Sequence, residues 1–132
     1  MKKSYFIKLA DSKALARKIA PRLHGGEILA LIGPLGSGKT TFTKELAGRL
    51  KVKTKVTSPT FTLMHRFPAK VGKTKIFLYH LDLYRTKNFK EVKTLGLEEF
   101  WAKPATVTVI EWADKIKKHW PKKTIAIYFS HE

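Results

Sequence analysis

The sharpest break in the hydropathy pattern comes at residue 33, where five consecutive apolar residues, Ile28 to Ile32, give way to a glycine-rich stretch. An unbroken apolar run of that length predicts a parallel strand buried on both faces. Beyond the glycines, Phe42, Leu46 and Leu50 recur at four-residue spacing, which predicts one buried helix face. Upstream, Tyr5 to Leu9 reads as a short strand. Leu15, Ile19 and Leu23 then mark a helix from Ser12 to Leu23, with Asp11 placed to cap it and Pro21 to kink or stop it. His24-Gly25-Gly26 supplies the turn into the apolar strand.

Downstream, Lys51 to Thr57 is a basic connection, and Thr60 to Met64 alternates in polarity as a strand does. Pro68 to Lys75 reads as a hairpin-like connection with Gly72 at its tip. Ile76 to Leu83 is the next strand, and its period of two places His80 and Asp82 on one face, Leu81 and Leu83 on the other. A helix is expected around Glu91 to Leu95, and a second start at Glu98 and Glu99, favoured by the helix dipole. Pro104 closes that segment. Thr106 to Glu111 runs β-branched residues into one carboxylate, Ala113 to Trp120 reads as a short basic helix, and Thr124 to Ser130 as a last strand. The alternation predicts an α/β fold: one domain over residues 1–132, a mixed and mostly parallel sheet flanked by helices.

The glycine-rich stretch, Gly33-Pro34-Leu35-Gly36-Ser37-Gly38-Lys39-Thr40-Thr41, fits the phosphate-binding-loop pattern and makes the domain P-loop NTPase-like. A triphosphate must be wrapped by backbone N–H groups, which demands glycine where a Cβ would collide or φ must be positive. The following helix adds unpaired donors and a dipole that favours an anion. The residues expected to hold nucleotide are therefore Gly36, Ser37, Gly38, Lys39, Thr40 and Thr41. Lys39 bridges the outer phosphates, and the Thr40 hydroxyl is placed to ligate Mg²⁺.

Two carboxylates end strands that such a loop needs. Asp82 could orient a water or neutralise a metal; the bland alternative is a turn or helix cap. Glu111 is the first choice for the second metal-side ligand, against a solvated strand end. The hydroxyl-rich Ser58-Pro59-Thr60 segment reads either as a switch gripping the outer phosphate or as an ordinary turn. Arg85 could approach the transferred phosphate, with a surface salt bridge as the default. His80 reads as a packed histidine, and Trp112 as core or as a cover for the site.

Composition narrows the setting. There are no cysteines, which removes disulfides, thiol catalysis and zinc-ribbon sites. No apolar run approaches the ~20 residues of a membrane span, and no signal-peptide core follows Met1, so a cytoplasmic protein with no membrane partner is expected. Twenty-seven basic residues against ten acidic ones give a net charge of +17, spread over the whole chain. That balance suits a surface meeting RNA or an RNA-bound partner, or equally a lysine-rich compositional habit.

Taken together, Leu35-Gly36-Ser37-Gly38-Lys39-Thr40-Thr41, Ser58-Pro59-Thr60-Phe61-Thr62, His80-Leu81-Asp82-Leu83-Tyr84-Arg85, Leu95-Gly96-Leu97-Glu98-Glu99 and Ile110-Glu111-Trp112 resemble the bacterial tRNA threonylcarbamoyladenosine biosynthesis ATPase family, TsaE. The resemblance implies ATP hydrolysis in support of TsaD and TsaB, which install threonylcarbamoyl on adenosine in tRNA, without transfer of that group by the chain itself. It implies ATP and Mg²⁺ as cofactors, with the metal held by Thr40 and Glu111. Lys39, Asp82, Glu111 and Thr60 then carry catalysis, and Ser12 is a hydroxyl near the adenine. Contact with tRNA is expected through the complex, and none with DNA. Pro34 stands where the family usually has an acid, and Ala16 replaces a usual glycine. The family usually continues beyond the last strand read here into a further one carrying a basic residue. Two other readings of the motifs are a small phosphotransferase and a nucleotide-gated RNA-binding protein with negligible hydrolysis.

Overall fold

A computed structural model describes residues 1–56 and 64–131. Its strands are β1 (Ser4–Lys8), β2 (Ile28–Ile32), β3 (Met64–Val71), β4 (Thr74–Asp82), β5 (Thr106–Glu111) and β6 (Ile125–Ser130). The helices are α1 (Ser12–Ile19), α2 (Lys39–Arg49), α3 (Phe89–Lys93) and α4 (Leu97–Phe100), with a 3₁₀ segment over Ala113–His119. The strands form one sheet in the order β1-β6-β2-β5-β4-β3, parallel throughout except for the β3–β4 hairpin at one edge.

The apolar strand β2 sits between β6 and β5, and β5 is buried along its whole length. Both faces of the sheet are covered, as a parallel sheet requires. On one face Leu29, Leu31, Val107, Val109 and Leu78 pack against Leu15 and Ile19 of α1 and Phe42 and Leu46 of α2. On the other, Ile28, Ala30, Leu81, Leu83 and Ile110 meet Val92, Leu97, Phe100 and Ile116. No described helix is long and apolar enough to cross a membrane.

Several expectations need adjusting. Asp11 stands at the N-cap of α1, yet its side chain makes no capping bond. The α-helix ends at Ile19, and Pro21 falls in a 3₁₀ turn over Ala20–Arg22, since its ring cannot continue the ladder. Pro68 lies within β3 opposite Phe77 rather than in a connection; an edge strand tolerates the missing donor. Residues 113–119 are 3₁₀ rather than α, with Ile116 outside helical geometry. The strand expected over Thr60 to Met64 lies outside the described residues except for Met64, which opens β3.

Candidate nucleotide site

The carboxyl ends of β2, β4 and β5 open into a cleft of about 350 Å³, walled by residues 35–41 together with Leu9, Asp82, Tyr84, Arg85, Glu111 and Trp112. Strand β2 ends at Ile32 and the chain turns through the glycines into α2. Gly36 and Gly38 take φ of +72° and +102°, the left-handed region that excludes ordinary side chains. Gly38 is needed twice over, because a Cβ there would stand 2.2 Å from Ser12 Oγ. The first α2 bond runs from the Phe42 N–H to the Gly38 carbonyl (2.9 Å), so the amides before it are the orphan donors of a helix start.

Lys39 is 5% exposed. Its ammonium donates to the Gly33 carbonyl and, at 3.4 Å, to that of Pro34. The Trp112 ring covers it, 3.5 Å from Nζ to centroid, and Trp112 is held at a φ of +60° directly after Glu111. Burial lowers the Lys39 pKa, while the negative charges of Glu111, Asp82 and Asp114 act to raise it.

The two carboxylates stand side by side, since Asp82 and Glu111 are register partners on neighbouring parallel strands. Glu111 Oε1 accepts from the Thr40 hydroxyl at 3.4 Å, and its Oε2 lies 2.5 Å from His80 Nε2. Glu111 is 3% exposed and His80 fully buried, so this contact is shut off from solvent and fixes the carboxylate in place. Losing one member of the pair would leave the other buried without its hydrogen-bond partner, a cost of about 1–3 kcal/mol. Asp82 is half-buried and accepts from the Tyr84 N–H at 3.0 Å.

Thus Lys39, Thr40, Thr41, Gly36, Ser37, Gly38, Asp82 and Glu111 share one cleft. Ser12 is absent from its wall: fully buried, its Oγ packs beneath Gly38 with no hydrogen-bond partner among the described residues. The apolar parts of the wall are Leu9 and Leu35, with the Tyr84 and Trp112 rings. Thr60 lies outside the described residues. Arg85 lines the cleft, and among the described residues it forms no ion pair, against the salt bridge expected by default.

The sequence model of the family described as "Threonylcarbamoyl adenosine biosynthesis protein TsaE" matches residues 7–132. The chain belongs to the TsaE family. It is 38% identical over 117 residues to the tRNA threonylcarbamoyladenosine biosynthesis protein TsaE of Bacillus subtilis, covering 89% of this chain and 70% of that one. The Aquifex aeolicus TsaE is 40% identical over 109 residues, or 81% and 73% of the two chains. A crystal structure of Bacillus subtilis YdiB superposes with a TM-score of 0.65 at 33% identity, over 88% of this chain and 67% of the other. As a TsaE protein, the chain has a role in tRNA threonylcarbamoyladenosine biosynthesis. Within the TsaE cleft, sequence reasoning missed His80 as the group that fixes Glu111. The available signal was its position one strand period before Asp82, on the same face.

Proposed function

We propose that the chain binds Mg-ATP in this cleft and hydrolyses it, as the ATPase component that supports TsaD and TsaB without itself transferring the threonylcarbamoyl group. The observation that carries the reading is the meeting of Thr40 Oγ1 and Glu111 Oε1 at 3.4 Å, with His80 gripping the other carboxylate oxygen. Those donors suit Mg²⁺. They are hard oxygens, and the described residues hold no cluster of three or more His, Asp or Glu side chains. An ion here would take few protein ligands and fill its shell from phosphates and water, as Mg²⁺ prefers. Thr40 and Glu111 would hold it, and bound there it would neutralise charge on the outer phosphates.

The remaining work falls to the chain. The amides of residues 36–41 and the Lys39 ammonium bind phosphate oxygens. Asp82, beside Glu111, orients the attacking water. Trp112 and Tyr84, whose rings lie 5.0 Å apart, exclude bulk water from one side. Thr60 grips the outer phosphate as a switch hydroxyl, and Ser12 supports the loop from beneath. Arg85 is the one arginine on the cleft wall and is fixed by no hydrogen bond among the described residues, which fits slow turnover by the chain alone. A cytoplasmic setting goes with work on tRNA.

The test is threonylcarbamoylation of tRNA reconstituted from purified TsaD and TsaB, with and without this chain and ATP. Sustained modification should require both. Asp82→Ala should lower ATP hydrolysis at least roughly tenfold while changing nucleotide affinity far less. Labelled phosphate appearing on a small acceptor rather than free would favour a phosphotransferase instead.

A further inference from the structure

A second cleft, of about 490 Å³, lies at the opposite end of the sheet, below the hairpin and the C-terminal end of α2. Lys51, Lys53, Lys70 and Lys75 line it over a floor of Pro68, Ala69, Ile76 and Phe77. Among the described residues no carboxylate lines it, and none of the four lysines forms an ion pair. Lys70 and Lys75 are register partners directly across the hairpin, an arrangement that costs stability because like charges face each other. Phe77 is 38% exposed, and the Arg66 guanidinium stacks over its ring at 4.6 Å.

We propose that this cleft binds RNA, with the lysines on the phosphodiester backbone and an unstacked base near Phe77. The inference rests on the chain's place in tRNA modification, which makes tRNA the RNA it meets. It does not need the ATPase mechanism. Charge favours a polyanion: four exposed ammonium groups around one cleft, without an ion pair among the described residues and in a chain of net charge +17, set up a positive field that a run of negative charges complements. Lysine serves a phosphate backbone as a point charge, without the bidentate grip that arginine would add. The exposed ring favours nucleic acid over an acidic peptide, because single-stranded RNA is held by base stacking beside cations.

The experiment measures binding of a fluorescein-labelled, unmodified tRNA transcript to the full chain by anisotropy, over a series of salt concentrations. Lys70→Gln/Lys75→Gln should weaken binding by roughly tenfold and make the log–log salt dependence shallower by about two. Lys70→Arg/Lys75→Arg should restore most of the affinity. Lys13→Gln/Lys18→Gln, with the same charge loss on the exposed side of α1, should change affinity less than about twofold. Lys39→Ala should leave RNA binding in place, which separates this site from the nucleotide cleft. Equal losses in the two Gln pairs would reduce the effect to net charge and overturn the site. So would absence of tRNA binding by the unaltered chain, or displacement of tRNA by polyglutamate at matched charge as readily as by unlabelled tRNA.

Discussion

The two ends of the sheet handle charge in opposite ways. At the carboxyl ends of the strands, the charged groups the loop needs are held by named partners: Lys39 by the Gly33 and Pro34 carbonyls, Glu111 by His80 and Thr40, Asp82 by the Tyr84 amide. At the other end, four lysines surround an apolar floor without an ion pair among the described residues. The same elements span both. Strand β4 carries Lys75 near its start and Asp82 at its end, ~23 Å apart at about 3.3 Å per residue. Helix α2 begins at Lys39 and ends beside Lys51, ~16 Å along its axis. A fixed geometry at one end suits a ligand of one shape and a reaction. An exposed set of ammonium groups at the other suits a long anion without one shape.

The comparison breaks most easily at its tight end. Lys39→Ala removes the cation proposed to face the phosphates, and ATP hydrolysis should fall by at least ~100-fold in a phosphate-release assay. Gly38→Ala pushes a Cβ to 2.2 Å from Ser12 Oγ at a φ of +102°. It should cost roughly 2 kcal/mol or more of stability, read as a fall of several degrees in Tm by calorimetry.

A subtler effect comes from pH. Burial lowers Lys39 from its ordinary 10.5, and a bound phosphate would raise it again. Below the lowered pKa the lysine is charged with or without ligand, so nucleotide affinity should be flat. Above it, binding must take up a proton, so affinity should fall by up to about tenfold per pH unit as pH rises toward the bound-state value. Titrating nucleotide affinity between neutral and alkaline pH checks the sign, and a flat profile would remove Lys39 as the phosphate partner. The smallest effect belongs to the loose end. Lys70→Gln/Lys75→Gln should leave ATP hydrolysis by the chain within about twofold and raise stability by a few tenths of a kcal/mol, seen in urea denaturation, by relieving the cross-strand repulsion.

Why the two ends differ in legibility follows from the same contrast. The nucleotide end was readable because its chemistry is local. A loop that wraps phosphate needs glycines at fixed offsets from a lysine and a hydroxyl, and Asp82 and Glu111 each close a strand with a carboxylate. The sheet order, with β4 beside β5, is what places those two side by side. His80 was on the correct face but read as packing, because nothing in one strand announces a carboxylate on its neighbour. Lys51, Lys53, Lys70 and Lys75 come from two segments separated by the residues leading into β3. Only the fold brings them around one cleft. Pro68 misled for a related reason: a proline signals a connection unless the strand is known to be an edge.

The contact between Gly38 and Ser12 has a mechanical consequence. With only a hydrogen atom on the glycine side, the first turn of α1 and the last bend of the loop are wedged together. Any shift of α1 by more than a few tenths of an ångström must open a gap there or drag the loop with it. A pull on β1, the exposed edge strand that leads into α1, would therefore be felt at the phosphate cradle without passing through the centre of the sheet.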